Sequence, residues 1–181
     1  SGRRVRLFVA LDLPAEVREH LLEWRRGALT VRDELRPIPA ADLHVTLCFI
    51  GGRAESEVPA ISELVRGCAG PVRNLVLGGA LWLPPRRPRV LAVDVRDGMH
   101  ALAALQARVS EALARGAGYV PEERPFLPHV TVARVRPRRR VQPLELSSPR
   151  PLAFDGAALT LYRSRAAPTG SVYEALTRVD L

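Results

Sequence analysis

A duplicated motif constrains this chain more than any other feature. The string His-Val-Thr begins at His44 and again at His129, in a chain of 181 residues, and each copy lies in an apolar run that predicts a β-strand. Successive side chains of a strand point to opposite faces, so the histidine and the threonine of each copy share one face. The motif therefore predicts two strands that present His44 with Thr46, and His129 with Thr131, on the same side.

The sequence around the two copies also matches. A strand predicted over Val5–Leu13 and a helix over about 14–26 precede the first copy, and a strand over Val90–Val95 and a helix over Met99–Arg115 precede the second. The repeated order of strand, helix and His-x-Thr strand predicts an internal duplication with two lobes rather than a short-period solenoid.

The rest of the pattern completes an α+β fold. Further strands are predicted over 43–50, 72–83, 152–162 and 172–181, and a further helix over 55–68. Interleaved strands and helices favour two antiparallel or mixed sheets with helices outside over a doubly wound parallel sheet. We expect one domain over residues 3–181, with halves of roughly 3–85 and 86–181. Ser1-Gly2, which lacks a methionine, is typical of the remnant of a protease cleavage site.

Composition narrows the class of protein. With 47% apolar residues the chain can bury a core, and no apolar run approaches the roughly 18–20 residues that cross a membrane. The two cysteines, Cys48 and Cys68, have no metal or redox spacing, so we expect a protein of the reducing cytoplasm. Cys48 lies in an apolar strand and is predicted to be a core residue. We expect a monomer with no membrane partner.

The net charge of +8 alone says little about a partner, because all 27 basic residues are arginine. This composition is typical of a codon bias and explains part of the basicity. Two local clusters remain, which are either solvated loops or a positive rim that concentrates a phosphate substrate: Arg86, Arg87 and Arg89 in a predicted turn, and Arg134, Arg136, Arg138, Arg139 and Arg140 after the second motif.

The two motifs suit acid/base chemistry. Neither histidine has an acidic or histidine partner two or four residues after it, and there is no nucleophile elbow or P-loop. Two imidazoles titrate near neutral pH, so one can donate a proton while the other accepts one. The two threonine hydroxyls could bind phosphate oxygens that gain charge in the transition state. The alternative is that these side chains only cover the solvent face of two strands.

With these residues in place, the sequence resembles the two-histidine phosphoesterases, and among them the bacterial and archaeal RNA 2′,3′-cyclic phosphodiesterases, also called 2′-5′ RNA ligases. The resemblance covers nearly the whole chain. It rests on Arg6–Ala10, Leu43–Leu47, Phe49–Gly51, Phe126–Arg134, Leu161–Ser164 and Gly170–Tyr173.

The resemblance implies a bilobal fold with pseudo-twofold symmetry, in which the motifs face each other across a central cleft. It implies that His44 is the proton donor, that His129 is the proton acceptor, and that Thr46, Thr131 and Arg134 bind the phosphate. It further implies that a 2′,3′-cyclic phosphate at an RNA 3′ end is opened to a 2′-phosphate without metal or other cofactor.

The sequence leaves open how the Arg134 side chain reaches the site, and it also predicts contacts to the rest of the RNA. Arg134 has the opposite strand parity from Thr131, so a bulge or the strand end must turn it towards the site, or its long side chain must reach round the strand. RNA contacts beyond the terminal phosphate are predicted at Phe8 and Phe126, and at Arg138, Arg139 and Arg140.

Three other functions remain possible for such a chain. The same histidine pair would serve 2′-5′ joining of RNA ends, with a ribose hydroxyl in place of water, or hydrolysis of a small cyclic nucleotide. A basic RNA-end-binding module without turnover is the third, although such a module has no need of a proton donor and a proton acceptor.

Overall fold

The structure is a computed structural model that describes residues 2–29, 32–168 and 170–181. Ser1, part of the predicted cleavage remnant, lies outside the described residues. The elements, in chain order, are β1 (Arg4–Asp12), α1 (Ala15–Ala28), β2 (Leu35–Pro37), β3 (His44–Ala54), α2 (Val58–Arg66), β4 (Leu75–Leu83), β5 (Val90–Arg96), α3 (Ala101–Ala117), β6 (His129–Val135), β7 (Ala153–Phe154), β8 (Ala158–Ala167) and β9 (Gly170–Asp180), with short 3-10 turns at Ala40–Asp42 and Glu55–Glu57.

The predicted α+β class is confirmed, but the strands form one sheet where the sequence predicted two. The order of the sheet is β7-β4-β5-β6-β3-β1-β8-β9, β2 pairs with β6, and every pairing is antiparallel. The two halves of this sheet join where β3 meets β6, and a single residue pair, Val45 with Val130, makes that junction. This one residue pair links the two halves into a continuous sheet.

The strands of the two sheet halves are not divided at residue 85. β4 lies beside β5, in the half that ends in the second motif, and β8 and β9 lie beside β1, in the half that ends in the first. Each half thus contains a set of three strands in a matching order, β4-β5-β6 and β8-β1-β3, in which the last strand carries the motif. The internal duplication itself stays a prediction.

One face of the sheet is covered by helices, as the apolar periodicity requires. The predicted stripe of α3 is confirmed, because Leu102, Leu105, Val109 and Leu113 are all fully buried. Burial of a leucine of this kind stabilises the fold by roughly 1.5–3 kcal/mol. The helix ends at Gly118, whose φ of 63° is a left-handed conformation that glycine adopts without steric cost. These helices leave the opposite face of the motif strands available for a site.

Candidate active site

The junction between β3 and β6 brings the two motifs together. Val45 and Val130 pair across it, and both are fully buried in the core. The neighbouring side chains therefore point to the other face, where His44, Thr46, His129 and Thr131 line one cleft of about 1030 Å³. The strand parity predicted from the sequence accounts for all four placements.

Arg134 reaches the same cleft because of a β-bulge. On β5, Ala92 pairs with Thr131 and Leu91 pairs with Ala133, so Val132 of β6 has no partner on β5. This extra residue reverses the alternation beyond it, so that Arg134, like Thr131, lines the cleft. Of the three explanations that the sequence leaves open for Arg134, the bulge is the one found.

The first motif contains the same bulge. On β1, Ala10 pairs with Thr46 and Val9 pairs with Cys48, so Leu47 has no partner there. The bulge turns Phe49 into the cleft at the position that corresponds to Arg134, and 62% of the Phe49 surface is exposed. The two halves of the cleft therefore differ chiefly in having an aromatic ring on one side and a cation on the other.

A half-buried arginine of α1 holds the bulge of β6 in place. Arg25 donates from Nη1 to the carbonyl oxygens of Ile38 at 2.6 Å and of the bulge residue Val132 at 2.7 Å. The Ile38 amide also donates to the Val132 oxygen, at 3.0 Å. Since these bonds fix the backbone of the bulge, they also fix the direction in which Arg134 leaves the strand.

Both histidines are oriented in the same way. Nδ1 of His44 donates to the carbonyl oxygen of Asp42 at 2.6 Å, and Nδ1 of His129 donates to that of Leu127 at 2.7 Å. A carbonyl oxygen only accepts, so Nδ1 carries the hydrogen in each ring and Nε2 is the atom that can exchange a proton. Nε2 of His44 lies 2.9 Å from the hydroxyl oxygen of Thr46.

An aspartate stands opposite each histidine in the strand pairing. Asp12 pairs with His44 and Asp94 pairs with His129. Asp12 is buried and accepts hydrogen bonds of 2.6 Å from the hydroxyls of Thr160 and Tyr162. Its carboxylate also lies 3.5 Å from Nε of Arg178.

Charges and burial act together on His44. Burial is the largest influence and lowers the pKa of His44, and Arg134 and His129 lower it further by their positive charge. The bond to the Asp42 carbonyl and the Asp12 carboxylate act in the opposite direction, but the pKa stays below its usual value. Asp12 therefore reduces the extent to which burial and the neighbouring positive charges lower the pKa of His44.

An aromatic stack supports His44 from one side. The ring of Phe8 lies 5.1 Å from the His44 ring and 5.2 Å from that of Tyr162, stacked on both, and Tyr173 meets its edge at 5.0 Å. Only 5% of the Phe8 surface is exposed. The predicted RNA contact at Phe8 is therefore corrected: its ring is enclosed in this stack and positions His44.

The other predicted RNA contacts lie in two places. Phe126, in the segment between α3 and β6, is half-buried and lines the cleft, as do Tyr119 and Leu127 of the same segment. The arginines of residues 138–140 line a second concave surface that adjoins the cleft.

Sequence reasoning did not assign a role to Asp12, Phe49 or Tyr173. The similar spacing of Asp12 and Asp94 from their histidines was the signal for the first, and the match of Phe49 with Arg134 was the signal for the second. Tyr173 lies on β9 and reaches the cleft only because β8 and β9 join the first half of the sheet. No pattern in its own strand indicates that.

Residues with other possible roles are structural. Cys48 is buried, and burial raises the pKa of its thiol to about 11, so it is a core residue as predicted. His20 binds the Arg150 carbonyl at 2.8 Å and His100 precedes α3.

In the described residues, no three histidine, cysteine or acidic side chains are grouped as metal ligands. Among the same residues, no helix is long and apolar enough to cross a membrane.

The fold and the two His-x-Thr strands in one cleft define the class of two-histidine phosphoesterases that the sequence predicted. The chain belongs to the 2′-5′ RNA ligase superfamily, whose family model matches residues 13–168. A protein of Thermus thermophilus named RNA 2′,3′-cyclic phosphodiesterase is 35% identical over 184 residues, which cover 98% of this chain and 90% of the relative. A protein of the same name from Escherichia coli is 36% identical over 130 residues, 71% of each chain.

Solved structures show the same similarity. Escherichia coli LigT complexed with 3′-AMP matches with a TM-score of 0.79 at 30% identity, over 99% of both chains. A crystal structure described as a phosphoesterase matches with a TM-score of 0.80 at 28% identity, again over 99% of both chains.

Proposed function

We propose that this protein hydrolyses the 2′,3′-cyclic phosphate at the 3′ end of RNA and leaves a 2′-phosphomonoester. The observation that carries the proposal is the pair of histidines in one cleft, each held through Nδ1 by a backbone carbonyl so that Nε2 is available for proton transfer. The names of the Thermus and Escherichia relatives, at 35% and 36% identity, support the same substrate class.

The reaction needs one proton acceptor and one proton donor. Nε2 of neutral His129 takes a proton from water, and the water oxygen attacks the phosphorus in line with its bond to O3′. That bond breaks, and Nε2–H of His44 gives its proton to O3′. One water is consumed, and a proton passed back through solvent restores both rings.

Three side chains bind the negatively charged phosphate. The hydroxyls of Thr46 and Thr131 donate to the non-bridging oxygens, and Arg134 adds a charge-assisted bond. The matching bulges of β3 and β6 support this assignment for Arg134, since the arginine lines the cleft together with both threonines.

The lowered pKa of His44 is compatible with its role as the donor. Without substrate, burial and the charge of Arg134 favour the neutral ring. A bound cyclic phosphodiester carries a negative charge, which favours the protonated form of a neighbouring imidazole. The substrate therefore helps to create the acid that its own cleavage requires.

The terminal nucleoside meets the apolar part of the cleft. Phe126 is half-buried there, and the exposed ring of Phe49 offers a face on which a base can stack. The proposed reaction uses no metal. We expect the protein to act as a monomer in the cytoplasm, where its two buried cysteines stay reduced.

The family description favours one second reaction, the joining of RNA ends through a 2′-5′ bond. In that reaction a ribose hydroxyl takes the place of water and O3′ is again the leaving group, so the same pair of histidines transfers the protons. The two reactions differ in the acceptor and not in the site.

The test is an incubation of the protein with an oligonucleotide that ends in a 2′,3′-cyclic phosphate, with separation of 2′- from 3′-phosphate products. We expect only the 2′-phosphate, and losses of roughly 10²–10⁴ in kcat for His44→Ala and for His129→Ala. A 3′-phosphate product, or turnover that survives either substitution, would contradict the proposal. A 5′-hydroxyl oligonucleotide in the same mixture reports on joining.

A further inference from the structure

Two arginine-rich segments that are distant in the sequence form a second concave surface. We call it the arginine basin; it is lined by residues 86–89 and 135–141 and has a volume of about 800 Å³. The segments meet because β5 and β6 are paired: Val90 is the partner of Arg134, and the Val135 amide donates to the Arg89 carbonyl at 2.9 Å. The β4–β5 turn and the loop after β6 are thus held side by side.

The charge of the basin exceeds what the composition of the chain explains. Seven of the 27 arginines lie among its eleven residues, where an even distribution would place about one or two. No carboxylate lines the basin, and within the described part of the chain none of the seven forms an ion pair. Arg136 donates from Nε to the Asp33 carbonyl at 2.9 Å, which fixes its direction. The basin therefore presents a concentrated positive potential.

In the loop after β6, Arg138 adopts a backbone conformation that favours glycine. The Arg139 amide donates to the Arg136 carbonyl at 3.1 Å and closes a four-residue turn, in which Pro137 is second and Arg138 is third. Arg138 has a φ of 63°. A turn with proline second and a positive φ third favours glycine at that third position. A long cation kept in a strained conformation is typical of a functional position.

The basin adjoins the active-site cleft. At each of three places, adjacent residues of the chain line one and then the other: Pro85 and Arg86, Val90 and Arg89, and Arg134 and Val135. An extended polyanion that has its end at the histidines can therefore pass Arg134 and enter the basin.

We propose that the arginine basin binds the phosphodiester backbone of the RNA body that precedes the terminal cyclic phosphate. This proposal rests on the proposed function and narrows its substrate to an oligonucleotide rather than a small cyclic nucleotide. Among the described residues, no aromatic side chain lines the basin, so it offers no stacking platform there and holds the backbone without reading the bases.

The experiment compares two substrates, a mononucleotide 2′,3′-cyclic phosphate and an oligonucleotide of about ten nucleotides with the same end. Two variants remove three charges each from the basin, R86Q/R87Q/R89Q and R138Q/R139Q/R140Q. The matched control, R3Q/R73Q/R150Q, removes three exposed arginines that line neither the basin nor the cleft.

We expect each basin variant to lower the ratio of kcat/KM for the oligonucleotide to that for the mononucleotide by roughly five- to fifty-fold at low salt, and the control to preserve it. The slope of log KM against log salt for the oligonucleotide should decrease by up to about 2, since three phosphate contacts to a single strand are lost. A substrate whose upstream phosphates are uncharged methylphosphonates should lose its advantage with the unsubstituted protein as well.

R138G separates binding from folding. Glycine suits the positive φ, so we expect its melting temperature to be equal or higher while the oligonucleotide preference falls. Equal ratios and salt slopes for the basin variants, the control and the unsubstituted protein would overturn the role of the basin. Absence of turnover on both substrates by the unsubstituted protein would instead refute the proposed function.

Discussion

Substitution of Arg134 tests how the bulge of β6 contributes to the site. Arg134→Gln keeps a polar side chain of similar length and removes the charge, whereas Arg134→Lys keeps the charge and removes the planar guanidinium. The two changes separate the two contributions of Arg134, a hydrogen bond to the phosphate and an electrostatic influence on His44.

The loss of the hydrogen bond sets the expected rate. A hydrogen bond to a charged group contributes about 1.5–3 kcal/mol, so Arg134→Gln should lower kcat/KM by roughly 10- to 150-fold. Arg134→Lys should lose less, because a point charge on the phosphate remains.

The charge sets the expected pH dependence. Arg134 is one of the groups that lower the pKa of His44, so its removal raises that pKa. A proton donor is lost as the pH rises through its pKa, so the alkaline limb of kcat/KM should move to higher pH in Arg134→Gln.

The assay is a pH profile of kcat/KM on the cyclic phosphate substrate for both Arg134 variants. The matched control is Arg124→Gln, which removes another arginine of the cleft that has no influence among those that shift the pKa of His44. The control and Arg134→Lys should keep the position of the limb. A limb that stays fixed or moves to lower pH in Arg134→Gln would refute the proposed electrostatic coupling to His44 as donor.

Three further predictions concern cofactors, phosphate contacts and stability. Hydrolysis should continue undiminished in excess chelator, and a loss that one divalent metal restores would contradict the proposed chemistry. Thr46→Val and Thr131→Val should each lower kcat by roughly 10²–10³, as for an oxyanion donor, whereas a rise in KM with constant kcat would show that the hydroxyls bind ground state and transition state alike. Tyr162→Phe removes the 2.6 Å donation to buried Asp12 and should lower the free energy of unfolding by about 1.5–3 kcal/mol in urea titrations; an unchanged midpoint and slope would show that this bond is not stabilising.

Much of the fold and the candidate site could be predicted because the relevant signals are local. The alternation within each motif determines that His44 and Thr46 share a face, and the apolar stripe of α3 determines which side of that helix is buried. The repeated order of strand, helix and motif indicated that the two copies would have equivalent places. These inferences depend on periods of two and 3.6 residues, which the sequence displays directly.

The rest depends on how distant strands pair. The bulges at Leu47 and Val132 exist only relative to the partner strands, so the sequence left the direction of Arg134 open. Phe8 has the parity of a cleft residue, but β8 and β9 bring aromatic rings that enclose it. The predicted midpoint at residue 85 likewise carried no information on which strands would join which half of the sheet.

The division of roles between the two histidines is tested most directly by the pH profiles of the unsubstituted protein and the single variants His44→Ala and His129→Ala. The unsubstituted protein should give a bell-shaped profile. His44→Ala, which lacks the donor, should lose the alkaline limb, and His129→Ala, which lacks the acceptor, should lose the acid limb. Loss of the same limb in both variants, or of the opposite limb in each, would contradict the assignment of His44 as donor and His129 as acceptor.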